Sequence, residues 1–291
     1  MNNILAKTHL ITAIITPFDN NNQINFSAYK KIINSQIKMG VEGFAVAATT
    51  GEAPTLNENE KLRLFKKTVE FVKGRAKIIA NVGTNNTKET IDFVKKAEKI
   101  SGIDAFLTVN PYYNKPDQLG MIKHFESIAD NSKLPIIIYN IPSRTSVALT
   151  VNSLIELSRY RNIIGVKQCT TDYDMSELIE KTDKNFLVYT GEDGQSFFNY
   201  ALGGAGTISV ISHFYAKNMV KMFSDIRQGN INQAAKIFRY LNPRIKALFS
   251  HPSPSPVKAV YKKRGIDVGA PRMPLLPLNE KETKQILEVL D

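Results

Sequence analysis

Lys167 closes an apolar, β-branched run, Ile163-Ile164-Gly165-Val166-Lys167-Gln168-Cys169, and a lysine in that setting has two fates. Its stem can carry the ammonium out of the strand end into water. Alternatively it is held where desolvation favours the neutral amine, a nucleophile toward ketones and α-keto acids. In period-two alternation Ile163, Gly165 and Lys167 share one face, and the small Gly165 beneath the lysine leaves room next to its stem. Schiff-base chemistry needs a proton shuttle, and tyrosine and threonine hydroxyls suit it because each donates and accepts. Tyr139 closes the preceding apolar run, Pro135-Ile136-Ile137-Ile138-Tyr139. A keto acid's carboxylate needs donors, which the hydroxyls and backbone N–H groups of Thr49-Thr50-Gly51 can supply. Arg144 offers a planar fork for a second carboxylate. Taken singly, these residues have plainer readings: a turn at Thr49-Thr50-Gly51, surface aromatics at Tyr112-Tyr113, a solvated loop cation at Arg144.

Their common position decides between the readings. Short apolar runs alternate with amphipathic stretches eight times between Ile11 and Gln228. Strand one, Ile11–Phe18, is stopped by Pro17. Asn57 and Glu60 form a capping-box pattern ahead of a helix reaching Lys73, with Gly74 after it. Eight alternations in about 225 residues predict a (β/α)₈ TIM barrel. No GxGxxG or P-loop favours an open doubly wound sheet. From Ile231 the alternation ceases, and helices are expected near 231–249, 256–264 and 280–290. The expected division is a catalytic barrel over 1–230 and a C-terminal helical region over 231–291. Barrel sites gather at the C-terminal strand ends. Those ends here are Thr49-Thr50-Gly51-Glu52, Asn110 to Asn114, Tyr139 with Arg144, Lys167, Thr190-Gly191-Glu192-Asp193 and Ser212-His213.

Composition narrows the function class. A chain of 291 residues with 43% hydrophobic and 22% charged residues can bury a sizeable core. The net charge of +11 raises nucleic acid or an anionic substrate, but the lysines are scattered along helices as solvated faces, so no nucleic-acid partner is expected. Cys169 is the sole cysteine, Met1 to His9 lack a signal-peptide core, and no apolar run approaches a membrane span. A cytoplasmic protein without membrane contact is expected. His9, His124, His213 and His251 are dispersed without metal-ligand spacing, and no GxSxG stands in the chain. The expectation is a metal-free mechanism with no cofactor beyond a covalent Schiff base on Lys167.

Five segments carry a more specific resemblance: Ala48-Thr49-Thr50-Gly51-Glu52, Pro111-Tyr112-Tyr113-Asn114-Lys115-Pro116, Tyr139-Asn140-Ile141-Pro142-Ser143-Arg144-Thr145, Gly165-Val166-Lys167 and Gly206-Thr207-Ile208-Ser209-Val210. With these the chain resembles the dihydrodipicolinate synthase and N-acetylneuraminate lyase superfamily of class I aldolases, over nearly its whole length. Thr49-Thr50 and Arg144 look like the synthase branch. The resemblance implies a Schiff base between Lys167 and pyruvate. It implies a proton relay through Tyr139, Thr50 and Tyr113, with Tyr113 reaching into a neighbouring subunit's site. It implies a pyruvate pocket lined by Thr49, Thr50 and the Ile208 backbone, with Gly191 beside it, and Arg144 on the carboxylate of aspartate semialdehyde. A dimer of dimers serving lysine and diaminopimelate synthesis follows. The alternatives are another pyruvate aldolase acting on a sugar-derived keto acid, or an inactive barrel that senses a ligand or binds nucleic acid.

Three departures stand out. Gln168 replaces a common Glu, which removes a negative charge expected to sit near the amine. His213 replaces Asn, and Ser253-Pro254-Ser255-Pro256 stands for Asn-Pro-x-Pro. The cleft where many such synthases take inhibitory lysine corresponds to Ala53, Pro54, Glu58, Lys61, Asn85 and Glu89. Lys61 stands where strongly inhibited enzymes have a histidine. Weak or absent inhibition is expected, unless Lys61 turns to solvent or pairs with Glu58 three residues earlier.

Overall fold

Runs of β-branched and small residues pair in parallel and close on themselves. The strands are β1 Leu10–Ala13, β2 Gly43–Val46, β3 Lys77–Asn81, β4 Ala105–Val109, β5 Ile136–Asn140, β6 Ile163–Gln168, β7 Leu187–Thr190 and β8 Gly206–Ser209. Each pairs with its sequence neighbour, and β8 returns to β1. The computed structural model describes residues 3–291; Met1 and Asn2, the start of the leader reading, lie outside the described residues. The helices between strands are α1 Phe26–Lys38, α2 Glu58–Val72, α3 Thr87–Ala97, α4 Gln118–Asp130, α5 Pro142–Thr145, α6 Val151–Ser158, α7 Asp172–Lys181 and α8 Ser196–Ala201. α9 Ser212–Arg227 follows β8, and α10 Ile231–Leu248, α11 Ser255–Lys263 and α12 Glu280–Leu290 form the tail. The expected TIM barrel with a helical extension is borne out.

Local chemistry explains the boundaries. Asn57 caps α2, accepting from the Glu60 N–H at 2.9 Å while the Glu60 carboxylate accepts the Asn57 N–H at 2.9 Å. The helix ends on Lys73 in the left-handed region, φ 52°, one residue before the expected Gly74. β1 is shorter than expected, since the chain leaves the ladder after Ala13. α9 begins four residues early with a non-helical turn at Tyr215, and the four-residue α5 was not foreseen. Residues 3–9 close the bottom of the barrel: Leu5 is fully buried, and the Tyr189 hydroxyl donates to the Thr8 carbonyl at 2.8 Å. The C-terminal mouth is thereby the open end. No described helix is long and apolar enough to cross a membrane.

Candidate active site

Lys167 and Tyr139 face each other across a strand pair. They are register partners on β6 and β5, and both are buried. The Lys167 Nζ lies 4.0 Å from the centroid of the Tyr139 ring, within cation–π distance. The space for the lysine stem comes from an unexpected glycine. A Cβ on Gly191 would fall 2.5 Å from Lys167 Cε and 2.3 Å from Cys169 Sγ. A Cβ on Gly165 would instead strike the Leu187 carbonyl at 2.4 Å. Gly165 therefore admits β7, and the expectation that it clears the lysine is corrected. Both glycines were legible as small residues; which neighbour each admits is set by how β7 and the residue after it pack on β6.

The charge state also departs from expectation. Burial is the largest influence on the amine and favours its neutral form, but the Tyr139 hydroxyl and the Glu192 carboxylate around it hold its pKa above the ordinary lysine value. The resting amine is an ammonium and must lose its proton before it attacks. Burial pushes the neighbouring Cys169 thiol up to about 12, so it stays protonated. Gln168 takes no part. It points to the opposite face of β6, where its Oε1 accepts from Asn140 at 2.9 Å. The charge absent at Gln168 lies behind the strand, and the expected effect on the amine is withdrawn.

A cavity of about 270 Å³ at the mouth brings Thr49, Tyr139 and Arg144 into one wall, together with Ala53, Pro54 and Lys61. Arg144, in α5, is exposed, and among the described residues its guanidinium has no hydrogen-bonded or ionic partner. Thr84, which shares this wall, was missed, having only a loop position to mark it. Two shallower depressions, about 900 and 1050 Å³, lie at the opposite barrel end and contain none of the strand-end candidates. Thr50 and Ile208 are buried. Tyr113 is 89% exposed with φ 74°, and it is Tyr112 that lines the cavity. One chain therefore does not bring Tyr113 into its own pocket.

The threonine turn is held from behind. Thr16 donates to the Gly51 carbonyl at 2.7 Å. Glu52, left-handed at φ 59°, forms a buried 2.6 Å ion pair with Lys258 of α11. Burial takes the Lys258 pKa down to about 8 against the pull of Glu52. Arg272 donates its backbone N–H to Glu52 at 2.8 Å and forks onto Glu60 at 2.6 and 2.9 Å. Nothing in the local sequence signals these tail contacts. His213 is buried, and desolvation lowers its pKa to about 4. Its neutral ring bridges Val210 O at 2.8 Å and the Ile15 N–H at 3.3 Å, so Nδ1 donates and Nε2 accepts. Among the described residues no three His, Cys, Asp or Glu side chains gather to hold a metal.

The effector-cleft candidates separate. Glu58 pairs with Lys96 at 2.7 Å and leaves Lys61 unneutralised in the cavity wall. Burial lowers the Lys61 pKa, with Glu58 a smaller opposing influence. Asn85 donates to the Tyr112 carbonyl at 3.0 Å, and Glu89 is exposed in the first turn of α3.

Residues 6–291 match the profile of the Dihydrodipicolinate synthetase family. The chain belongs to that family. It is 64% identical over 290 residues to the 4-hydroxy-tetrahydrodipicolinate synthase of Oenococcus oeni, covering 100% of this chain and 99% of that one. A crystal structure of a Bacillus anthracis dihydrodipicolinate synthase superposes with TM-score 0.95 at 40% identity over 97% of each chain. The chloride-inhibited Acinetobacter baumannii enzyme complexed with pyruvate superposes with TM-score 0.93 at 33% identity, again over 97% of each.

Proposed function

We propose that this chain catalyses the 4-hydroxy-tetrahydrodipicolinate synthase reaction, the condensation of pyruvate with L-aspartate 4-semialdehyde in lysine and diaminopimelate biosynthesis. It is a lyase of the Schiff-base class, and the full-length 64% identity sets aside the sugar-acid aldolase and inactive-barrel alternatives. The observation that carries the site reading is Lys167, buried on the inward face of β6 at 4.0 Å from the Tyr139 ring. Lys167 gives up a proton through the hydroxyls of Tyr139 and Thr50, which relay it to solvent, and its neutral Nζ attacks the pyruvate carbonyl carbon. Water leaves as the imine forms. Loss of a methyl proton gives an enamine, whose carbon bonds to the aldehyde carbon of the second substrate as the aldehyde oxygen takes a proton and becomes a hydroxyl. The amino group of that substrate then attacks the imine carbon, closing the ring and displacing Lys167 Nζ as the free amine. Tyr139 and Thr50 carry the protons in these steps. Thr49, Thr50, Gly191 and the Ile208 backbone hold the pyruvate carboxylate, and Arg144 holds that of the semialdehyde. Tyr113, exposed on its own chain, completes the relay of a second copy within a cytoplasmic dimer of dimers. The barrel of residues 1–230 carries the chemistry, and the helical region 231–291 supports the threonine turn through Lys258 and Arg272.

The test is to incubate the protein with pyruvate, reduce with borohydride and locate the adduct by mass spectrometry, alongside turnover with aspartate semialdehyde. An adduct on Lys167 and condensation activity are expected. An adduct elsewhere, or none, refutes the mechanism.

A further inference from the structure

The outer face of the sheet carries a chain of amide contacts that the chemistry above does not use. At the end of β4, Asn110 Nδ2 donates to Asn140 Oδ1 on β5 at 2.6 Å. Asn140 Nδ2 donates to Gln168 Oε1 on β6 at 2.9 Å, and Gln168 Nε2 donates to the Thr170 hydroxyl at 2.7 Å. Asn140 also grips one residue of the following loop from both sides. Its Oδ1 accepts the Leu149 N–H at 3.0 Å, and its Nδ2 donates to the Leu149 carbonyl at 3.0 Å. Asn110, Asn140 and Gln168 are all buried. Both amide hydrogens and both oxygen lone pairs of Asn140 are therefore satisfied, and Leu149 fixes which way round the amide sits.

The segment held in this way, 141–149, contains α5 and Arg144. α5 has four residues and no side-chain cap, so it has little intrinsic means of holding its place. The segment leaves β5 at Asn140 and returns to the same side chain. Strand alternation links this clamp to the chemistry: Tyr139 and Lys167 point inward while their successors Asn140 and Gln168 point outward. We propose that Asn140 and Gln168 are positioning residues that fix the Arg144 fork relative to the Lys167 amine, and so set selectivity for the aldehyde. The inference rests on the reading of Arg144 as the anchor of the aldehyde's carboxylate.

The test uses the full-length enzyme in four single variants, Asn140→Ala, Gln168→Ala, Gln168→Glu and Arg144→Ala, and in the Asn140→Ala, Arg144→Ala double variant. Asn140→Ala is expected to speed amide exchange across Ser143 to Leu149 and to raise KM for aspartate semialdehyde roughly tenfold, the scale of one lost buried hydrogen bond. Borohydride trapping of pyruvate should stay within about twofold of the unsubstituted enzyme. Gln168→Ala should act in the same direction, and is decisive should Asn140→Ala fail to fold. Gln168→Glu keeps the acceptor for Asn140, and its second oxygen can accept from the Thr170 hydroxyl in place of the amide's donation, so it should restore near-normal values. Combined with Arg144→Ala, Asn140→Ala should raise the aldehyde KM no further, whereas a general structural defect would add. Unchanged exchange in both alanine variants overturns the positioning role, as does an additive double variant or a defect in Gln168→Glu equal to that of Gln168→Ala. If Arg144→Ala itself leaves the aldehyde KM unaltered, the Arg144 reading fails, and the proposed link to selectivity is overturned with it; exchange then still separates a failed anchor from a failed clamp.

Discussion

At Lys167 two effects oppose each other, and the side chains around it decide the outcome. Burial favours the neutral amine; Tyr139 and Glu192 hold the pKa above the ordinary value. The nucleophile is the neutral form, whose fraction rises about tenfold per pH unit while pH lies below the pKa. The rate of pyruvate trapping at low pyruvate should therefore climb with that slope between about pH 7 and pH 9. A flat profile would mean that burial dominates and the amine is already neutral. Lys61 bears on the expected response to lysine. With Glu58 engaged by Lys96, a lysine entering the cavity meets an unneutralised cation. Two charges about 5 Å apart at an effective dielectric near 20 repel by about 3 kcal/mol. Deprotonating Lys61 relieves the repulsion at its own free-energy cost. Half-inhibition by lysine is expected above about 1 mM, the upper range of ordinary metabolite binding, and Lys61→His should lower it. Initial rates at saturating substrates decide this, and sub-millimolar inhibition of the unsubstituted enzyme would show that Lys61 does not obstruct the cleft.

Among the elements, the connection between α11 and the turn after β2 matters most. Thr49 and Thr50 sit on a turn whose last residue, Glu52, is left-handed and shut away from water against Lys258. A buried pair adds little net stability, but removing one partner leaves a buried charge unpaired. Lys258→Met should lower stability by about 3–5 kcal/mol and raise KM for pyruvate, while the Glu52→Gln, Lys258→Met double variant recovers part of the stability. Thermal unfolding and steady-state rates test both statements. A single variant as stable as the parent would remove Lys258 from any role in holding the turn.

For the molecule as a whole, the question is whether one chain makes a complete site. Tyr113 stands almost fully in solvent on a loop where both it and Lys115 have positive φ, 74° and 48°, a conformation that L-residues adopt only where their surroundings demand it. A second copy that received the ring would supply such surroundings. Mixing inactive Lys167→Ala with inactive Tyr113→Phe under subunit exchange should regenerate sites with one intact relay each, and activity should return toward a quarter of the parent value, the statistical expectation for random pairing of two chains. Demonstrated exchange without recovery would place the relay within a single chain.

Periodicity and strand-end chemistry were legible directly. Eight alternations are a local property of the chain, and parallel strands joined by helices have few ways to close. Lys167, Tyr139 and Arg144 could be found because barrel strand ends converge whatever the detailed packing. Even the capping box at Asn57 and Glu60 lies within four residues. What escaped the sequence depends on packing between strands and on distant partners. Gly191, not Gly165, clears the lysine stem, because Gly165 packs against Leu187 of β7 while Gly191 lies over the end of β6. Gln168 turns away from the amine because adjacent strand residues face opposite sides. Glu52 finds Lys258 across 206 residues, and no local pattern encodes that pairing. The amine's charge state is a balance of burial against Tyr139 on β5 and Glu192 after β7, and only the tertiary structure brings those neighbours together.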